Sequence, residues 1–421
     1  MGFHRVVIAY VLFPLVAAAT PTQISIADFG AKGDGVTLNT KSIQAAIDAC
    51  GGGGTVHFPA GTFVSGTIQL RDHIRLDFDT GAVLLASRNV DDYPFIVCRF
   101  PSCADRYNGR ALIWGEGLTD IAITGRGTIE GDGARFRDKV ASEEQMKQMT
   151  AAYAGTGRYA PVAGYANRPY LIRLVSCRNV LVENITLRNS PMWMQHYLDC
   201  DFVTLRGVTV FNHGGHNNDM VDIDCCRDVV ISGCVGDTDD DALTLKSTGA
   251  KPTERVVVSD CILRSHCNAI KAGTESSGGF KDITISNCVV TRSLVDSVLN
   301  GRRDGIAGIA LEIVDGGTLD GVAISNVTIR DAPSRAFPVI PSRTFQSATS
   351  ASHSRAEGPR NRRSQTCRNW KRSIRRLRCL APCPRTVSSA ATSRGSPWTT
   401  SNWASANPTS GRPCCVKTSA G

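Results

Sequence analysis

Val180-Leu-Val-Glu-Asn-Ile-Thr-Leu187 is echoed by Val203-Thr-Leu-Arg-Gly-Val-Thr-Val210. The theme returns as Val229-Val-Ile-Ser-Gly-Cys-Val235, Val256-Val-Val-Ser-Asp-Cys-Ile262, Ile283-Thr-Ile-Ser-Asn-Cys-Val289 and Val322-Ala-Ile-Ser-Asn-Val-Thr-Ile329. A weaker copy stands at Ile121-Ala-Ile-Thr-Gly-Arg-Gly-Thr-Ile129. Each unit has two short β-branched runs with period-two alternation, broken by Asn, Gly or Asp. Early spacings of roughly 23 to 27 residues are those of a solenoid. A unit this short cannot bury its own apolar face, but stacking sets Val on Val and Ile on Ile. Adjacent coils then pair in parallel about 4.8 Å apart. The expected fold is all-β, a parallel β-helix. A leucine-rich repeat would need a regular Leu spacing that is missing, and a β-sandwich would not repeat one theme.

Working outward, Asn184, Asn287 and Asn326 sit at the bend between runs, where they can hydrogen-bond backbone or one another. Cys234, Cys261 and Cys288 share one place in the repeat, which fits stacked thiols as well as disulfides. The adjacent Cys225 and Cys226 cannot both point the same way in a strand. The clearest helix runs from Thr40 to Cys50, with Asn39 placed to cap it and Gly51 to end it. Its Ile43, Ala46 and Ile47 would seal the open first coil, whose strand edges otherwise lack partners. The stretch from Phe136 to Gly164 is polar and lacks the repeat, so it reads as a loop excursion.

Composition agrees. Hydrophobic content of 42% is ample for a core, and 40 Gly with only 6% aromatics suits short strands and tight turns. The net charge of +9 needs mapping before it is used. From residue 332 onward, sixteen Lys and Arg face a single acid, Glu357, leaving 31 basic and 37 acidic residues in 1–331 out of totals of 47 and 38. The repetitive part is therefore acidic, and basicity gives no ground for a nucleic-acid partner. Residues 332–421 lose the repeat and read as a basic, non-repetitive tail, disordered or translated from a shifted frame. At the other end, His4 and Arg5 precede an apolar run from Val6 to Val16 and then Ala17, Ala18 and Ala19. That is the pattern of a signal peptide over residues 1–19, too short for a membrane span, with residues 20–331 as the β-helix domain. A secreted or periplasmic location and no membrane partner follow as expectations.

Two acidic clusters fall in consecutive repeats: Asn217-Asn218-Asp219-Met-Val-Asp222-Ile-Asp224, then Asp237-Thr-Asp239-Asp240-Asp241. Asp219 and Asp240 differ by about one coil, so their charges repel across neighbouring rungs. Glycosidic cleavage is one reason to keep them there: a carboxylic acid protonates the leaving oxygen while carboxylates activate water. A Ca²⁺ nest and plain solvated turns are the other readings of the residues alone. No Cys/His spacing resembles a zinc site.

The chain resembles glycoside hydrolase family 28, right-handed parallel β-helices of polygalacturonase and rhamnogalacturonase type, from about Ile24 to Asp331. The likeness rests on Asp28-Phe-Gly-Ala-Lys-Gly-Asp-Gly, Phe58-Pro-Ala-Gly-Thr-Phe, Ser190-Pro-Met-Trp193-Met-Gln-His196 and both acidic clusters. The resemblance implies Asp240 as general acid, with Asp219 and Asp241 holding and deprotonating the attacking water, so that the sugar is released with inversion and without a cofactor. It implies an acidic plant cell-wall polysaccharide as partner and a monomeric enzyme. Trp193 and His196 are expected to meet the sugar. The family's Gly-His-Gly motif is met only approximately by Ser265-His266-Cys267, and Lys271 is the nearby cation that could grip a substrate carboxylate. The family's Arg-x-Lys motif has no clear counterpart. Two other functions remain at this point: a Ca²⁺-dependent pectate lyase-like β-eliminase, and a non-catalytic carbohydrate-binding β-helix.

Overall fold

The computed structural model describes residues 22–158 and 160–332. The expected signal segment and the basic tail lie outside the described residues, apart from Ala332. Three parallel sheets of ten, ten and eight strands run along the solenoid, with consecutive strands of the chain passing from sheet to sheet. The fold is the parallel β-helix that the repeat requires.

The repeat theme builds the first two sheets and the corner between them. Val180, Val203, Val229, Val256, Ile283 and Val322 stand in one register row, and Val182, Leu205, Ile231, Val258, Ile285 and Ile324 in the next. All but the last rung's pair are buried. Each side chain taken from water this way contributes about 1.5–3 kcal/mol, which a single coil could not collect.

The corner residue in successive coils is Asn184, Gly207, Gly233, Asp260, Asn287 and Asn326, every one at positive φ between 51° and 62°. That left-handed conformation is open to Gly and, among side chains, mainly to Asn and Asp. The sequence alternates those three types there for that reason. Asn326 Nδ2 also donates to Asn287 Oδ1 at 2.6 Å, so the Asn column bonds to itself as well. Cys234, Cys261 and Cys288 form a buried column of free thiols just inside this corner. Cys225 faces the outer aromatic cluster and Cys226 the central core, as adjacent residues of an extended chain must.

Helix Thr40–Ala49 buries Ile43, Ala46 and Ile47 against the first coils. Asn39 does not cap it through its side chain. Its Oδ1 accepts from Lys32 N and its Nδ2 donates to Lys32 O and Thr37 O, so the residue ties down the preceding loop instead. The Phe136–Gly164 excursion also departs from expectation. It holds a helix, Glu143–Ala152, opened by a capping box between Ser142 and Gln145, a signature the sequence displayed as Ser-x-x-Gln. Among the described residues no helix is long and apolar enough to cross a membrane.

The third sheet differs from the other two. Its strands Tyr170–Val175, Gln195–Leu198, Val221–Asp224 and Leu243–Ser247 are buried on both faces. One face joins the central core. The other lies under an aromatic cluster that includes Tyr107, Trp114, Tyr170 and Trp193. The acidic clusters sit at the corner where the second sheet hands over to this one.

Candidate active site

The corner is fixed by its own polar side chains. Asn212 Nδ2 donates to the carbonyls of Asn218 and Asp219, at 2.8 and 3.1 Å, and Asn218 Nδ2 returns a bond to Asn212 O at 2.5 Å. One coil on, Thr238 Oγ1 and Ser265 Oγ both donate to Asp240 O at 2.6 Å, while Asp240 N donates to Asn218 Oδ1 at 3.0 Å. Met220 N bonds Asp241 O, and Ala242 N bonds Asn268 O. The ladder thus sets Asp219, Asp240 and Asp241 on adjacent rungs of one edge.

Their surroundings divide the three carboxyls. Asp241 is buried, yet its Oδ2 accepts from Lys271 Nζ at 2.8 Å and its Oδ1 from Asn268 N and Nδ2 at 3.1 and 2.6 Å. Burial alone would raise its pKa; the Lys271 ammonium and these donors outweigh burial and hold it below the usual carboxylate range. Asp240 receives less: Asp241 N at 3.0 Å, Asn217 Nδ2 at 3.4 Å and the Cys267 thiol. Burial and the Asp241 charge push Asp240 up to about 6. Burial, reinforced by Asp222, Asp240 and Asp241, pushes Asp219 well up too, and its Oδ1 has no partner. One corner therefore holds a carboxylate kept ionised and two carboxyls biased towards the acid form. An acid with a pKa near working pH beside a fixed carboxylate is the pairing that general acid–base chemistry needs.

Of the other acids in the clusters, Asp224, Asp237 and Asp239 are structural, whereas both carboxyl oxygens of buried Asp222 lack a hydrogen-bond partner. Asp237 and Asp239 bind the segment after Thr291: Leu294 N donates to Asp237, and Leu299 N and Asn300 N donate to Asp239. Asp224 accepts from Thr248 N and Oγ1. Asp222 lies 3.7 Å from Lys246 Nζ, and Lys246 is held by Glu275 at 3.0 Å.

The expected sugar-contact residues are corrected in part. Trp193 is 2% exposed and packed among Tyr107, Tyr170 and His196, with Lys246 Nζ 4.6 Å above its ring, so neither face is open to a sugar. His196 is wholly buried, its Nε2 on Asp224 at 3.1 Å, and burial drives its pKa down to about 4. His266 is buried rather than on the groove. Its Nδ1 is 3.0 Å from Asp239 and its Nε2 2.7 Å from Val295 O, so it braces the same segment that Asp239 holds. Lys271 is next to the acids, as expected, but its charge is committed to Asp241, with Glu312 a further 3.8 Å away. Nothing in the linear order marks that pairing, because the thirty-residue separation of Asp241 and Lys271 closes only when two coils stack.

One oxygen or sulfur from each of Asp240, Asp241 and Cys267 lies within 4.8 Å of the others, and His213, Asp239 and His266 form a second such group. In the first, the Lys271 ammonium, 2.8 Å from Asp241 Oδ2, opposes a second cation. In the second, Asp239 is saturated by backbone N–H groups.

Residues 55–340 match the family model of glycosyl hydrolases family 28. The chain belongs to this family. A probable polygalacturonase of Vitis vinifera is 31% identical over 291 residues, covering 64% of this chain and 55% of that protein. An exo-poly-alpha-D-galacturonosidase of Dickeya chrysanthemi is 28% identical over 309 residues, covering 65% of this chain and 51% of that one. Among solved structures, a hyperthermoactive exopolygalacturonase from Thermotoga maritima superposes with a TM-score of 0.58 at 25% identity, over 72% of this chain and 76% of that one. The chain spans about half the length of the two curated relatives. Membership in family 28 agrees with the corner at which the acids converge, and leaves Lys271, Asn268 and the Lys246–Glu275 pair as features to be explained in this chain.

Proposed function

We propose that this family 28 chain hydrolyses glycosidic bonds in a pectin-type, acidic polysaccharide, with Asp240 as general acid. The observation that carries the reading is the split between Asp240 and Asp241. Asp240, raised and the most open of the three carboxyls at 9% exposure, gives its proton to the leaving oxygen. Asp241, kept ionised by Lys271 and Asn268, is the base for water. Asp219 orients that water through its unpartnered Oδ1. An inverting pair needs roughly 6.5–9.5 Å between carboxyls to admit water. In this reading the water lies between Asp241 and Asp219, one coil back from Asp240.

Lys271 acts in this scheme as a positioning residue. Its ammonium balances the charge of the second carboxylate from within the protein, and the reaction proposed takes no metal. The names of the relatives support galacturonan as substrate, a polymer that the protein would meet outside the cell.

The test is to incubate the protein with polygalacturonate and with rhamnogalacturonan and count new reducing ends. Ends that keep forming in chelator and stop in Asp240→Asn support the reading. Turnover that survives both Asp240→Asn and Asp219→Asn, or an unsaturated product absorbing in the ultraviolet, overturns it.

A further inference from the structure

In the third sheet, the strand that follows Asp219 is preceded by Ala111–Glu116, Tyr170–Val175 and Gln195–Leu198, one per coil. On those three coils, residues 107–115, 166–175 and 190–198 are buried without exception. The register row Arg173, His196, Asp222, Thr244, Lys271 runs along the outer face of the sheet, past the acids. Its first four members are at most 1% exposed, and the row meets solvent only at Lys271.

The cover comes from the segment that leads into the first of those strands. Tyr107 sets its ring 5.0 Å from that of Trp193 and 5.4 Å from that of Tyr165. Further along the solenoid, Ser102 Oγ bonds with Thr248 Oγ1 at 2.5 Å and Cys103 N donates to Thr248 O at 3.0 Å. Tyr107 Oη donates to Glu275 Oε1 at 2.7 Å. One segment is thus fastened from its own coil to that of Glu275, across the coils of Asp219 and Asp240. Buried Asp105 holds it again, accepting from Arg158 Nε at 2.7 Å. A second segment closes the side towards the second sheet: Leu294 N and Leu299 N donate to Asp237 and Asp239, and Asn300 Oδ1 lies 3.2 Å from His216 Nδ1. Among the described residues, the corner stays open at Asn217 and towards the later coils, where Cys267, Lys271 and Glu312 are partly exposed.

A sugar is held only where its hydroxyls come within about 3 Å of the groups that bind them. Cutting inside a polymer leaves sugars on both sides of the broken bond, so the groove must run open past the acids in both directions. Here it stops at them. We propose that the chain takes its polysaccharide end-on: a terminal stretch enters the recess at Asp240 from the side of the later coils, and hydrolysis releases a short product from one chain end instead of cutting within the chain. The leaving oxygen takes the Asp240 proton and the anomeric carbon takes the hydroxyl of water, as in internal cleavage; the cover changes only which bonds reach the acids. The outward row that an internally cutting groove would expose is committed to packing, with His196 on Asp224 and beside the Trp193 ring. The proposal rests on the hydrolase reading for the bond broken, and it has a separate readout.

Wild type is incubated with polygalacturonate while product sizes, reducing ends and viscosity are followed together. A single short product from the first time point, no oligomers of intermediate length, and viscosity falling only as fast as mass is released support end-on attack. A ladder of oligomers with an early collapse of viscosity overturns it and leaves the hydrolase reading standing. The second arm titrates folded Asp240→Asn calorimetrically with oligogalacturonates of increasing length. One protein bound per chain at every length is the expected result. That result upholds the closed recess even where wild type yields no new reducing ends, the outcome that counts against hydrolysis alone. A number bound that rises with chain length, or no saturable binding at any length, sinks the proposal.

Discussion

Replacing Lys271 by Met removes the ammonium from Asp241 while keeping a side chain of similar length. The two charges meet at 2.8 Å in a site where Asp241 is buried. A pair of unit charges about 4 Å apart contributes about 4 kcal/mol at an effective dielectric of about 20, equivalent to about three pKa units. Asn268 still donates twice to Asp241, and water entering the vacated space replaces part of the lost field, so a rise of about two units is expected for Asp241. The direction for activity follows from its role. Asp241 must be ionised, so rate is lost as pH falls through its pKa, and a raised pKa moves the acid limb upward. Asp240 must be protonated, so rate is lost as pH rises through its own pKa, near 6. Lys271 also lowers Asp240, so that limb moves up as well, though less. The bell in kcat/KM should therefore narrow, shift to higher pH and fall about 10- to 100-fold at its maximum, the limbs reporting the pair rather than either residue. Reducing-end assays from pH 3 to 8 measure it, with Lys271→Arg as a control that keeps the charge. An acid limb unmoved by half a unit in folded Lys271→Met would refute the reasoning.

Three further outcomes are expected. In the wild type, kcat/KM should decline above about pH 6, because the raised Asp240 loses its proton there; a pH–rate profile flat to pH 8 would deny it the acid role. Glu275→Gln takes the nearest anion from buried Lys246 and should cost about 3–5 kcal/mol in urea unfolding, with unchanged stability as the contrary result. Gly207→Ala puts a side chain at φ 62° in the corner column, where its Cβ would come within 2.5 Å of Asn184 Oδ1. A loss of about 1–2 kcal/mol is expected, against near-neutrality if the corner were relaxed.

The chain's own order of residues carried much of this. Val over Val and Ile over Ile, with Asn, Asp or Gly at each corner, is a period written in the sequence, because parallel coils repeat the same environment every turn. The helix over Ile43, Ala46 and Ile47 was readable for the same reason: its pattern depends only on near neighbours. The acidic clusters were visible as dense runs of like charge, which the residues alone left open among catalysis, a Ca²⁺ nest and solvated turns. The third sheet left little trace, since strands such as Val221–Asp224 are covered on both faces and lose the alternation that marks a half-buried strand. Burial of Trp193, His196 and His266 and the Lys271–Asp241 contact were decided only in three dimensions. Each depends on what the coil before or after, or a loop many residues away, lays against that side chain, and a linear repeat fixes the position of a rung without fixing what covers it.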